Sequence, residues 1–199
     1  QMADAIWVAG IGPDAMAAIG FVNPIYMIMV GLANGLGAGA TSTVSRRIGA
    51  HDHGAANNAA LHALILGTVI AAILTVPLII FIDKIALILG AGPVADLSAD
   101  YGRVIFGALI FFFFVQISYA ILRAEGDTKR TMYAMGASAM MNIILDPIFI
   151  YMAGLGVVGA AIATVISIAS VSAVICHWFW VKKDTYVKLR LKEFSFHPC

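Results

Sequence analysis

The chain has 199 residues, 61% of them apolar and 12% charged, with a formal net charge of +1 and a mean hydropathy of +0.94. That balance excludes an ordinary soluble domain, and the near-zero net charge gives no footing for a nucleic-acid partner. The two cysteines, Cys176 in an apolar run and Cys199 at the last position, support neither a disulfide framework nor a metal cluster.

A spanning helix needs about 20 apolar residues. Gln1 to Ala9 is apolar except for Gln1 and Asp4 and is too short to cross. With no initiator Met and no signal-peptide charge pattern, it reads as the last turns of a truncated first helix, ended by the turn at Gly10–Pro13. Helix 2 is expected over about 15–45, where Gly31, Gly35, Gly39 and Thr43 recur at every fourth position. Such a stripe makes a smooth face for close helix packing, and it also permits bending. Helix 3, about 57–82, contains Ala63 to Ile82 without one charge. Helix 4, about 101–122, carries Phe111 to Phe114, expected to meet lipid or core rather than to form an aromatic drug cage. Helix 5, about 129–152, has Asp127 or Thr128 placed to cap it. Its Met132, Met135, Met140 and Met141 offer adaptable apolar surface. Helix 6, about 157–181, repeats the small-residue stripe with Gly159, Ala163 and Ser167. These are continuous apolar helices, not the alternating strands of a membrane barrel. The expected fold is all-α, a polytopic transmembrane six-helix bundle over 1–181, with the polar, basic 182–199 as a linker.

Lys and Arg give an orientation. Ten of the 12 basic residues fall at the ends of helices 2, 4 and 6: Arg46, Arg47, Arg123, Lys129, Arg130, Lys182, Lys183, Lys188, Arg190 and Lys192. Only Lys84 and Arg103 lie at the other end, beside Asp14, Asp83, Asp96 and Asp100. The basic end is therefore expected in the cytoplasm, with both ends of the chain on that side. His51, Asp52 and His53 then form an ordinary solvated cytoplasmic turn.

Of the 11 acidic residues, only Asp4 and Asp146 sit inside apolar spans. An aspartate at the centre of a membrane helix costs about 2.5–3.5 kcal/mol on insertion scales, so each is a functional candidate. Ser138, Asn142 and Asp146 follow at i, i+4 and i+8 and share one face of helix 5, and Thr164 and Ser167 share a face of helix 6. Pro147 removes a backbone bond and is expected to kink helix 5. At 1.5 Å per residue, Asp4 lies about 8 Å, Asp146 about 9 Å and Thr164 about 10 Å below the outer turns. Polar oxygens from three helices thus reach one level. Asp4-Ala5-Ile6-Trp7-Val8 with Gly10-Ile11-Gly12 also echoes Asp146-Pro147-Ile148-Phe149-Ile150 with Gly154-Leu155-Gly156. This echo fits either a duplicated hairpin or shared membrane-hairpin composition. Burial favours the neutral form of a carboxylate, which suits a proton carrier. An all-oxygen cage equally suits a hard cation such as Na+.

Several stretches together resemble the multidrug and toxic compound extrusion (MATE) family of efflux transporters, in its prokaryotic and archaeal-type branch. They are Asn23-Pro24 with the glycine-rich helix through Ser45-Arg46-Arg47-Ile48-Gly49-Ala50, Leu122-Arg123-Ala124-Glu125-Gly126-Asp127, and Asn142-Ile143-Ile144-Leu145-Asp146-Pro147. Gly154-Leu155-Gly156 and Gly159-Ala160-Ala161-Ile162-Ala163-Thr164 complete the series, in order along nearly the whole chain. The resemblance implies one lobe of a twelve-helix transporter, the amino-terminal one, with a carboxy-terminal six-helix lobe as its missing partner. It implies export of cationic or amphipathic drugs across the cytoplasmic membrane, driven by H+ or Na+, by a secondary transporter that is not an enzyme and has no cofactor. By position, the family's cation site falls on Asp4, Asn142, Asp146 and Thr164, and Tyr101 matches a tyrosine that lines the same cavity. Ser138 and Ser167, from their helix faces, are further candidates for cavity lining. The helix 1 proline associated with bending in the family would lie before Gln1.

Two rival functions fit less well. A lipid-linked precursor or polysaccharide flippase of the same superfamily shares the helix count but usually lacks the Asn142, Asp146 and Thr164 set. An intramembrane aspartyl protease also uses paired membrane aspartates, yet it expects Gly-x-Gly-Asp where this chain has Ile144-Leu145-Asp146 followed by proline.

Overall fold

A computed structural model describes residues 2–182, and all that follows concerns those residues. Seven α-helices run in chain order: α1 Met2–Ala9, α2 Pro13–Gly49, α3 His53–Ile88, α4 Ala95–Gly107, α5 Leu109–Ala124, α6 Thr128–Pro147 and α7 Gly156–Cys176. Wide-turn π segments extend α6 over Ile148–Met152 and α7 over His177–Lys182. Four helices are individually long and apolar enough to cross a membrane, and α4 with α5 make a fifth, bent span. At 37 residues, α2 is about 55 Å long, well beyond the roughly 30 Å hydrocarbon core.

The helix ends follow local chemistry. Pro13 opens α2, where its missing N–H is harmless. Asp52 caps α3 by accepting from the Ala55 amide at 2.9 Å. Asp127, one of the two residues expected to cap helix 5, accepts from the Arg130 amide at 3.1 Å and pairs with the Arg130 side chain at 3.2 Å. The expected linker at 182–199 lies outside the described residues except for the backbone of Lys182.

The fourth span differs from its sequence reading in two ways. It starts at Ala95, not near 101, after a 3₁₀ turn over Gly92–Val94. Asp96 and Asp100 look like loop residues in sequence, but the helix points both outward while Ser98, Ala99 and Gly102 are buried. The span also breaks at Ala108 with a bend of 48°. No proline marks this break. Gly107 weakens the helix just before it, and the Thr75 hydroxyl from α3 lies 3.5 Å from the Phe106 carbonyl at the break.

Two large apolar cores fill the bundle, beside a small cluster of Ala86, Ala91 and Ala95. One lies toward the α1–α2 and α6–α7 turns and includes Val8, Val22, Ile82, Phe106, Phe113, Ile150 and Val157. The other lies toward the α2–α3 turn and includes Val44, Leu61, Ile117, Leu122, Ile175 and Phe179. The four consecutive phenylalanines divide as a helix surface requires: Phe113 is buried, Phe111 is exposed, and Phe112 and Phe114 are intermediate.

The small-residue stripes part company here. On α7, Gly159, Ala163 and Ser167 are all buried, and a Cβ on Gly159 would sit 2.6 Å from the Phe149 carbonyl carbon and oxygen. That stripe is a close-packing face. On α2, Gly31, Gly35 and Gly39 are exposed, and a Cβ on any of them would meet nothing within 4 Å. The expected packing stripe of helix 2 is therefore an open face of this bundle. The packed glycine is Gly37, whose Cβ position lies 3.2 Å from the Ala120 Cβ. Two residues on from Gly35 is about 200° around the helix, so the packed face is opposite the stripe.

Candidate functional site

Three helices converge on one polar set. Asp4 comes from α1, Asn142 and Asp146 from α6, and Thr164 from α7. Asp4, Asn142 and Asp146 are buried, Asp146 completely, and Thr164 is half-buried. The Thr164 hydroxyl donates to Asp4 Oδ2 at 2.9 Å. The Asn142 amide donates to Thr164 Oγ1 at 3.2 Å and to Asp146 Oδ1 at 3.2 Å. The four residues form a continuous chain, Asp4–Thr164–Asn142–Asp146. Both hydrogens of the Asn142 amide and the hydroxyl hydrogen of Thr164 are engaged in it.

The chain is short of donors. Among the described residues, the buried Asp146 Oδ2 has no hydrogen-bond partner. A carboxylate oxygen withdrawn from water without a donor is costly.

The local fold explains why these side chains meet. Asn142 and Asp146 are one helical turn apart on the buried side of α6. Just beyond, Pro147 lacks an amide hydrogen, and the chain continues as a π segment closed by the Ala153 amide on the Ile148 carbonyl at 2.8 Å. The expected kink is thus a change of helical pitch. Gly159 lets α7 lie directly against the backbone of that segment, which brings Thr164 level with Asn142.

The other candidates distribute unevenly. Tyr101 of α4 is buried within electrostatic range of Asp4, Asp146 and Tyr26. The Ser167 hydroxyl is turned to the Ala163 carbonyl of its own helix at 2.8 Å and is not offered to the polar set. Ser138 is half-buried two turns before Asp146 and takes no part in the chain of hydrogen bonds.

Tyr151 was absent from the sequence candidates. Its hydroxyl donates to the Trp7 carbonyl at 2.6 Å, and the two rings meet edge-on with centroids 6.3 Å apart. A tyrosine near an outer turn reads as part of an interfacial aromatic belt, and only the π segment aims it at α1.

The described helices thus make a polytopic bundle of membrane-spanning length with a linked pair of carboxyl groups buried among its spans. The MatE family model matches residues 1–148. The multidrug export protein MepA of Staphylococcus aureus (strain NCTC 8325 / PS 47) is 34% identical over 180 residues, covering 89% of this chain and 39% of MepA. Two solved structures are described as a multidrug resistance MATE family transporter of the MOP superfamily, one in an inward-facing and one in an outward-facing conformation. Each has 43% identity and a TM-score of 0.94, and each match covers 98% of this chain and 44% of the other. The chain belongs to the MatE family, whose multidrug exporters are secondary transporters, not enzymes, and need no cofactor. It spans about two fifths of the length of the curated relatives it matches.

Proposed function

We propose that this bundle is the amino-terminal lobe of a cation-coupled exporter of cationic or amphipathic drugs, and that Asp4, Asn142, Asp146 and Thr164 bind the coupling ion. The observation that carries this reading is the buried chain linking two carboxyl groups across three helices, with Asp146 Oδ2 lacking a donor. Ion entry neutralises the set and changes how α1, α6 and α7 pack, and that repacking alters the affinity for drug.

The hydrogen-bond pattern suits a proton more directly than Na+. Asn142 turns its amide nitrogen toward both Thr164 and Asp146. A sodium ion in an all-oxygen cage would need the amide turned over to offer Oδ1. A proton on Asp146 Oδ2 needs no such rotation.

Two further features support a partner lobe and rigid-lobe alternation. The glycine face of α2 is open in this bundle, and the relatives are more than twice as long. The same fold matches an inward-facing and an outward-facing transporter with equal TM-scores, as expected if lobes rock as units about a site near their interface. Placement in the cytoplasmic membrane follows the basic residues. Arg46 and Arg47 end α2, and Arg123, Lys129 and Arg130 flank the α5–α6 turn, so that end faces the cytoplasm.

The test is gradient-driven dye efflux by the full-length protein in proteoliposomes, under separately imposed H+ and Na+ gradients. Asp146→Asn is expected to abolish efflux under the gradient that drives the wild type. Normal export by that variant would discard the reading. Lipid flipping without dye export would move the protein to the flippase class.

A further inference from the structure

The polar set is held by an anchor that lies outside it. Hydrogen bonds tie the last turns of α1 to both α6 and α7. Asp4 accepts from Thr164. Three residues on, the Trp7 carbonyl accepts the Tyr151 hydroxyl at 2.6 Å. That carbonyl also accepts from the Gly10 amide at 3.2 Å, which closes the last turn of α1.

The surroundings are shaped for this contact. A Cβ on Gly10 would collide with the Tyr151 hydroxyl, so the tyrosine reaches the Trp7 carbonyl only because residue 10 is glycine. Gly10 does not adopt a positive φ, so close approach, not backbone conformation, is what requires glycine there. On the Tyr151 side, the π segment after Pro147 sets the direction of the ring, and Gly159 seats that segment against α7.

We propose that Tyr151 is a positioning residue for ion coupling: its hydroxyl fixes the end of α1 to α6 and thereby holds the Asp4 carboxylate at Thr164. The proposal rests on the coupling role assigned above to the polar set. Tyr151 itself touches neither carboxyl group in the hydrogen-bond chain. Its effect falls on the affinity for the ion and not on the maximal rate of export.

The experiment uses the full-length protein with three variants: Tyr151→Phe, which keeps the ring and deletes the hydroxyl, Gly10→Ala, and the double substitution. Two readouts are taken. The first is the half-saturating concentration of the driving ion in dye efflux, with the maximal rate. The second is hydrogen exchange of the peptide covering residues 2–9, which needs no transport. Tyr151→Phe is expected to raise the half-saturating ion concentration about threefold to tenfold, the range that one hydrogen bond of ordinary net strength supports. The maximal rate is expected to stay within about twofold, and exchange in residues 2–9 to speed up by a similar factor. Gly10→Ala is expected to do the same by displacing the hydroxyl. The double variant is expected to be no worse than Tyr151→Phe, because the collision has been removed.

Unchanged exchange in residues 2–9, an effect confined to the maximal rate, or fully additive losses in the double variant would overturn the proposal. If Tyr151→Phe does not fold, Gly10→Ala alone is decided by the same two readouts. If export proves independent of any ion gradient, the coupling reading fails, and faster exchange still decides whether Tyr151 anchors α1.

Discussion

The two glycine stripes carry the same sequence signal and have opposite fates. On α7, Gly159 lies against the backbone of the π segment, so close that an added methyl has nowhere to go. On α2, Gly31, Gly35 and Gly39 face open space, and the one tight glycine, Gly37, is on the other side of the helix. Spacing by four says that a face is smooth. It does not say whether that face is packed within the lobe or left open for something outside it. What separates the two helices is the neighbour. α7 meets a segment widened by Pro147 whose carbonyl must come close, whereas the stripe of α2 meets no part of this bundle.

That contrast can be broken by substitution. The largest effect on stability is expected from Gly159→Val, which drives a branched side chain into the Phe149 backbone. It should cost about 3 kcal/mol, the upper part of the overpacking range, and appear as a lower thermal midpoint of the full-length protein in detergent. Thr164→Val comes next. It removes the donor to Asp4 Oδ2 and the acceptor for Asn142, for a loss of about 2 kcal/mol. The same assay should also show that coupling ion no longer raises the thermal midpoint. Asp127→Ala removes the α6 cap and its pair with Arg130, and should cost about 1 kcal/mol without changing ion dependence. The smallest effect on lobe stability is expected from Gly35→Ala, which meets no atom here and gains up to about 1 kcal/mol of helix propensity. If Gly35→Ala lowered the thermal midpoint of the full-length protein as much as Gly159→Val does, the open face of α2 would have been misassigned. If it left the midpoint intact but impaired export, the stripe would belong to the moving interface.

Much of the site was legible because depth in a membrane can be counted along a helix. Asp4, Asp146 and Thr164 could be placed at one level from their distances to the nearest turns, and an aspartate among apolar residues announces itself through its cost. Asn142 shared a helix face with Asp146 by simple periodicity. The family resemblance then united all four and added Tyr101. Four things were not legible. Helix periodicity by itself did not separate Ser167, whose hydroxyl turns to its own helix, from Thr164, whose hydroxyl bridges two. The break at Ala108 carries no proline, and the first turns of α4 were hidden by Asp96 and Asp100, which a helix can simply point outward. Tyr151 was missed because a change to π pitch alters the phase of every later side chain, and a 3.6-residue period cannot anticipate it.

The central claim is that the two carboxyl groups act as one ion-binding unit through Thr164 and Asn142. The most direct measurement is stoichiometric uptake of H+ or Na+ by the purified full-length transporter, comparing the wild type with Asp4→Asn and Asp146→Asn. A single unit predicts that either substitution alone abolishes high-affinity uptake and that combining them adds nothing further. Wild-type uptake by Asp4→Asn, or losses from the two sites that simply add, would contradict it.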